Sequence, residues 1–347
     1  MPGRITTLML CLMDGRTRPL LRKVRLLALR ELLRQQTALQ AVLMGEPRGA
    51  LQAMDEVVLP LLLCWMAGAR SAEAMLARAL PELMARLQTR ETLTLEAPIR
   101  VLHQGGQRAE VDASAMLLSP SGPELLIAGR PVPLDQLDWR PDRHGLLALS
   151  DDFPLSLEEA HPDKQGNAFD LGARPVQAWT EALDAALALI EQGLPGWSQE
   201  GPLARVVPVG FEPERHLSAS YREAPGLVWM TLHPQPAVMA EALVHENQHS
   251  RLNLLSWLDP VLHNAWSEWT ESPVRPDLRP LMGVLLAVHA FVPVAVMHRN
   301  LGRDEDRRRV WASNERGLAV LREKARPTPL GARLLAALEE HHAATAG

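Results

Sequence analysis

The chain has 347 residues, of which 47% are hydrophobic and 22% are charged, and its net charge is −5. This length accommodates two or three domains, and the apolar fraction excludes a largely disordered chain. The small negative charge excludes a protein drawn to nucleic acid by its overall field. Two cysteines in apolar surroundings, Cys11 and Cys64, indicate buried thiols in a reducing compartment and not a disulfide framework.

The sequence contains no convincing targeting signal. The apolar run from Leu8 to Met13 is too short for a signal peptide and ends in a turn followed by charges. The two longest apolar runs, Val57 to Ala69 and Leu281 to Met297, fall short of the roughly 20 residues that a membrane span needs. We therefore expect a cytoplasmic protein without a membrane partner.

Three segments follow one another along the chain. Residues 1–93 have apolar residues at helical spacing and few turn signals, which predicts a helical N-terminal domain. Residues 94–150 contain short apolar runs separated by glycine-rich and proline-rich turns, which predicts a small antiparallel β segment. Residues 151–347 begin with an irregular loop and continue as a mostly helical domain. The predicted fold class is α+β, predominantly α-helical.

Within the last segment, the residues from Val176 to Gln192 are amphipathic and stop at a Gly-Leu-Pro-Gly sequence, as a helix does. Two strand-like runs follow, Ala204 to Val209 and Leu227 to Leu232. Two further helices are predicted near the end of the chain, over about 305–325 and 330–345.

The most informative motif is His245-Glu246-Asn247-Gln248-His249, an H-E-x-x-H sequence within a predicted helix. Positions four apart lie above one another on a helix, so both imidazoles can bind one metal ion. Glu246 lies about 100° around the helix from His245, within reach of a metal-bound water or a ligand. Composition alone gives at most about 0.05 such matches per chain, so the motif favours a metal site over a solvated helix with two histidines.

Two imidazoles do not complete a metal site, because catalytic sites usually have three protein ligands. His289 is the preferred third ligand, since its neighbours are apolar and a buried imidazole needs partners for its nitrogens. A core histidine bonded to a backbone carbonyl is the alternative. Glu268 or Glu271 would instead supply a carboxylate. His263 and His298 lie beside polar residues and are expected at the surface.

Arg275 and Arg279 lie in a proline-rich stretch just before the apolar run that holds His289. The prolines restrict the chain, and guanidinium groups bind carboxylates through paired hydrogen bonds. Near a metal, such a group would bind an anionic co-substrate or a peptide terminus. The alternative for each arginine is a structural ion pair with Asp277 or Glu271.

Several of these segments together resemble the HExxH-motif family associated with peptide natural-product gene clusters. The match covers roughly the second half of the chain, and the first 150 residues agree only in general character. Members look like 2-oxoglutarate-dependent peptide β-hydroxylases that act on ribosomally made precursor peptides with non-haem iron. The matching positions are Ser218, Ser220, Glu241 to Asn253, Ser272-Pro273, Arg275, Arg279-Pro280-Leu281 and Gly283 to Phe291.

The resemblance implies that His245 and His249 bind Fe(II), with His289 as the third ligand. It also implies that Arg279, in preference to Arg275, binds the distal carboxylate of 2-oxoglutarate. Glu246 would orient a ligand or a water molecule. A precursor peptide would be the substrate, hydroxylated on a side-chain Cβ. Three tryptophans fit either a dry pocket near the metal or the core: Trp257, Trp266 and Trp269.

Two other functions are compatible with the same residues. In a zinc metallopeptidase, Zn²⁺ would take the three ligands and Glu246 would be the general base for peptide hydrolysis. No Gly-x-x-His sequence follows His249, so the metzincin extension is absent. In a non-enzymatic peptide-binding protein, the helical first domain would recognise the partner and His245 would be dispensable.

Overall fold

The computed structural model describes residues 23–24, 27–28, 31, 91–104, 107–119, 122–141, 169–197, 205–271 and 277–346. The chain divides into two compact units, Arg25–Asp170 and Met1–Val24 together with Leu171–Gly347. The described part is mixed α+β. Most of the predicted helical domain 1–93, both cysteines and Arg275 lie outside the described residues.

In the first unit, five strands form one antiparallel sheet in the order β1-β2-β3-β4, with β5 paired to β2. Alternate residues of β2 are buried, among them Ala109, Ala113 and Ala115, because successive side chains of a strand point to opposite faces. The sheet predicted within 94–150 is confirmed, although its strands are longer than predicted. Their bounds are β1 Glu91–Gln104, β2 Gln107–Ser119, β3 Gly122–Ile127, β4 Arg130–Pro133 and β5 Arg140–Pro141.

The second unit begins with a helix and a three-stranded sheet, followed by the helix that carries the H-E-x-x-H motif. β6 and β8 are parallel neighbours, and β7 pairs antiparallel with β8. All six residues of β8 are buried, so this strand lies in the core. The elements are α1 Val176–Gly193, β6 Arg205–Phe211, β7 Ser218–Ala219, β8 Leu227–Leu232 and α2 Pro236–Ser256. The predicted helix and both predicted strands are confirmed.

The rest of this unit is a short hairpin and three helices. The antiparallel hairpin of β9 and β10 leads directly into α3. Buried apolar residues from α2, α3, α4 and α5 form one core cluster, so the helices bury their apolar faces against one another. The elements are β9 Trp269–Glu271, β10 Leu278–Pro280, α3 Leu281–Asn300, α4 Asp304–Lys324 and α5 Pro329–Ala344.

Helix α3 is long and apolar enough to cross a membrane by length and composition alone. Within the unit, 78% of its most apolar window is buried. The core helix of a folded protein can be equally long and apolar, so length and composition do not distinguish a core helix from a membrane-spanning helix. Pro293 lies inside the helix, where it removes the backbone donor to the carbonyl of His289.

Candidate metal centre

The H-E-x-x-H residues lie in the middle of α2, which is buried on nearly all sides. The helix begins with Pro236 in its first turn, a position that needs no backbone donor. Glu246, Asn247 and Gln248 are each at most 4% exposed. Polar side chains in a core are costly unless they have partners, so this polar centre makes the middle of α2 the candidate for a site.

His245 and His249 are half-buried and direct their rings at the same point. Their Nε2 atoms are 2.7 Å apart, and their ring centroids are 4.3 Å apart. Two imidazoles that share a cation at ordinary bond lengths hold their nitrogens about 2.9 to 3.4 Å apart. A shift of a few tenths of an ångström would therefore let the pair bind one metal ion. Phe291 of α3 packs against His245, with ring centroids 4.5 Å apart.

Glu246 points away from solvent and is tied to the small sheet. Its two carboxylate oxygens accept hydrogen bonds from Ser218 Oγ at 2.8 Å and from Ser220 Oγ at 2.6 Å. The glutamate is 4% exposed. Each oxygen thus accepts one serine hydrogen bond, and the arrangement fixes α2 against β7 and the residue that follows it. A carboxylate held in this way can fix the position of the neighbouring residue, His245.

His289 lies on α3 and is completely buried. Its ring is beside the backbone of Gln248 and near Arg251. Burial lowers the pKa of His289 to about 3, and the charge of Arg251 acts in the same direction. The imidazole is therefore neutral at physiological pH, which is the form that binds metals. Gln248 lies 100° around α2 from His249, so His289 is beside a different face of that helix.

The described residues contain no group of three or more His, Cys, Asp or Glu side chains that could hold a metal ion. The structure brings His245 and His249 together, but His289 does not join them in a group of three ligands. Glu268 lies near Lys324, at 3.9 Å, and Glu271 and His263 are exposed. The third ligand remains a prediction.

Arg279 is in β10, immediately before α3, with its side chain 29% exposed. Its Nε donates to Asp277 at 3.4 Å, so the ion pair considered from the sequence is present. The side chain also lies over Gly283 in the first turn of α3. Whether it binds a co-substrate stays a prediction, as does any role of Arg275.

A cleft of about 380 Å³ opens beside His245. Its lining includes apolar residues of α2 and Phe291, and its polar groups come from α2 and its N-cap, from β7 and the loop before it, from α3, and from α4 and its N-cap. Besides His245, these polar groups are His216, Ser218, Gln235, Glu241, His298, Arg303, Asp306 and Arg309. His245 thus borders a space large enough for a small molecule or a peptide side chain.

The expectation that His298 is at the surface is wrong. Its side chain is 1% exposed, and its Nε2 is 2.9 Å from a carboxylate oxygen of Glu241. Arg309 also donates to Glu241 at 2.9 Å. Burial acts to raise the pKa of Glu241, but these two partners outweigh it and lower the pKa. The polar neighbours of His298 in sequence, Arg299 and Asn300, are exposed in the last turn of α3, whereas His298 itself faces α2.

The tryptophan cluster does not form the pocket. Trp266 is 65% exposed and Trp269 is 58% exposed, so neither belongs to the core. Trp257 is partly exposed, with Arg222 stacked 4.2 Å from its ring. None of the three lines the cleft. Both expectations for Trp266 and Trp269 are therefore wrong, because these residues lie just before and within the short β9 strand and not on a core helix.

Comparison with known proteins does not assign this chain to a family. No model of a known protein family matches the chain, and no curated protein is significantly similar to it.

Proposed function

We propose that this protein is an Fe(II)- and 2-oxoglutarate-dependent peptide hydroxylase. The observation that carries the proposal is the convergence of His245 and His249 on one point beside a cleft, with Glu246 held by two serines. Two imidazoles with room for other ligands suit a non-haem iron site. His245 and His249 would hold the metal, and His289 is proposed as the third ligand after movement of α3 against α2.

In the proposed reaction, bound iron supplies the oxidising chemistry. One oxygen atom of dioxygen replaces a hydrogen on a side-chain Cβ as hydroxyl. The other atom enters the succinate formed from 2-oxoglutarate, and carbon dioxide leaves. The chain's own residues position the reactants: the serine-bound Glu246 fixes the turn that carries His245. Phe291 packs against the His245 ring, with centroids 4.5 Å apart, and would help to hold it in place.

The position of Glu246 also supports hydroxylation over peptide hydrolysis. A general base must reach a metal-bound water within hydrogen-bond distance. Both carboxylate oxygens are directed at serine hydroxyls beside the small sheet, at 2.8 Å and 2.6 Å, and the side chain is 4% exposed, so Glu246 would have to turn to reach a water in the cleft. Glu246 in this arrangement is a positioning residue.

One assay tests the proposal. Protein purified without oxygen is supplied with Fe(II), 2-oxoglutarate and a cognate precursor peptide, and is then exposed to air. We expect succinate in step with a peptide that is heavier by one oxygen atom, measured by mass spectrometry. Zinc-dependent cleavage of the peptide without oxygen or 2-oxoglutarate would establish the peptidase instead. Peptide binding with neither reaction would favour the non-enzymatic function.

Replacing Arg279 tests the proposed co-substrate site. Arg279→Ala removes the guanidinium, and loss of a paired carboxylate contact costs about 2 kcal/mol, or about 30-fold in affinity. We expect the KM for 2-oxoglutarate to rise by that order, with the KM for the peptide little changed. Arg316→Ala, on the exposed face of α4, is the matched control. An unchanged KM for 2-oxoglutarate in the Arg279 variant would remove this residue from the site.

A further inference from the structure

The solvent-accessible side of α2 is one narrow stripe, and both motif histidines lie in it. Between Ala237 and Leu254, all residues of the helix are buried except five that are half-buried. At 3.6 residues per turn, these five positions lie along one side of the helix. A ligand that runs along this side therefore reaches the histidine pair. The five half-buried residues are Ala237, Val238, Glu241, His245 and His249.

The cleft beside His245 follows this stripe toward the start of α2. Its lining includes Ala237 and Val238. Val238 lies two turns before His245, which is about 10 Å along the helix axis. Phe291 of α3 lines the same cleft and packs against the His245 ring, with centroids 4.5 Å apart. The cleft is therefore a groove about 10 Å long, with His245 and Phe291 at one end and two small apolar side chains at the other.

The carboxylates and guanidinium groups that line the groove are paired with one another. Arg309 is 2.9 Å from Glu241, and Arg303 is 2.7 Å from Asp306. A charged side chain of a ligand would have to displace one of these partners, whereas a peptide main chain brings no net charge. An extended peptide advances about 3.3 Å per residue, so about three residues span the groove.

We propose that the groove holds an extended segment of the substrate peptide, with an apolar side chain against Ala237 and Val238. This side chain belongs to a residue about three positions from the one that reacts beside His245. Two small apolar residues leave room for a larger apolar side chain, and its burial favours binding. A charged side chain there would lose its hydration without gaining a partner. The inference rests on the proposed function for the identity of the ligand as a peptide.

A series of metal-anchored peptides measures the groove. Full-length, zinc-loaded protein is titrated with acetyl-leucyl-oligoglycine hydroxamates, whose hydroxamate end binds the metal and whose glycine spacer rises from zero to four residues. A second series, with the hydroxamate on a malonyl group at the N-terminal end, covers the opposite chain direction. We expect the tightest binding in one series at two or three glycines, which place the leucine about 10 to 13 Å from the metal.

At the best spacer, the leucine peptide is expected to bind at least about tenfold more tightly than its aspartate counterpart. Affinity that is independent of spacer length in both series would overturn the proposal. Equal or tighter binding of the aspartate peptide at the best spacer would also overturn it.

Two variants locate the effect at the far end of the groove. Val238→Asp places a carboxylate where the leucine lies, and Ala237→Phe fills the same space with bulk. Both positions are half-buried, so neither change alters the core. We expect each variant to bind the best leucine peptide at least about tenfold more weakly and acetohydroxamate, which has no peptide part, unchanged. Ala319→Asp, at an exposed position of α4, is the matched control for the added charge.

Zinc content and circular dichroism are measured for each variant. If either variant keeps its zinc and its fold and also binds the leucine peptide as tightly as the parent, the apolar end of the groove is not the binding site.

Because these titrations need neither oxygen nor 2-oxoglutarate, they are independent of the hydroxylation assay. A clear spacer optimum in a protein that forms no succinate would keep the groove and reject the proposed reaction. Hydroxylation by a protein without a spacer optimum would do the reverse.

Discussion

His245→Ala and His249→Ala are each expected to abolish metal-dependent activity. The two Nε2 atoms are 2.7 Å apart, so each ring supplies half of the converging pair. Changes to residues outside the ligand set typically cost 10- to 100-fold in metal affinity, and loss of a direct ligand should cost more than about 100-fold. Metal content by mass spectrometry and product formation by the succinate assay measure both losses.

The matched control for these variants is His263→Ala, which removes an exposed imidazole in the same unit. It should keep full metal content and activity. Both motif histidines are only half-buried, so the metal-free variants should unfold within a few degrees of the metal-free parent. A His245→Ala protein that retains stoichiometric metal and activity would contradict the assignment of the pair.

Glu246→Gln separates the two enzymatic functions by the size of its effect. The amide oxygen still accepts from one serine, and the amide nitrogen can donate to the oxygen of the other, so the tie to Ser218 and Ser220 persists. We expect hydroxylation to fall by no more than about tenfold, whereas loss of a general base costs about 10²- to 10⁴-fold. Initial rates of succinate formation and of peptide cleavage are the measurements.

The Ser218→Ala/Ser220→Ala double variant complements that comparison. It leaves the carboxylate in place but removes both hydroxyls that hold it. A positioning role predicts weaker metal binding in this protein. If Glu246→Gln eliminated activity while the double serine variant kept its metal affinity, Glu246 would be a base and not a positioning residue.

Local patterns in the sequence predicted much of the second unit. Helices α1, α4 and α5 and strands β6 and β8 follow from periodicity and from glycine and proline stops, which depend on neighbouring residues alone. The pairing of His245 with His249 is also local, because it needs only four residues of one helix. These elements could be placed without knowing how the chain folds back on itself.

The remaining features depend on packing between distant segments. Glu241 and His298 are 57 residues apart in sequence, and Ser220 and Glu246 are 26 apart. Spacing along one helix fixes the relative directions of its own side chains but does not say which helix lies opposite. For that reason His298 was expected at the surface. The position of His289 beside Gln248 could not be predicted from its apolar neighbours either.

The polar middle of α2 has a thermodynamic consequence. The side-chain amides of Asn247 and Gln248 are buried, and their atoms have no hydrogen-bond partner among the described residues. Each such group costs about 1–3 kcal/mol, a large share of the 5–15 kcal/mol that keeps a typical domain folded. A ligand that binds only the native state raises the free energy of unfolding by mass action. Binding of the proposed metal ion by His245 and His249 should therefore raise the melting temperature of this protein.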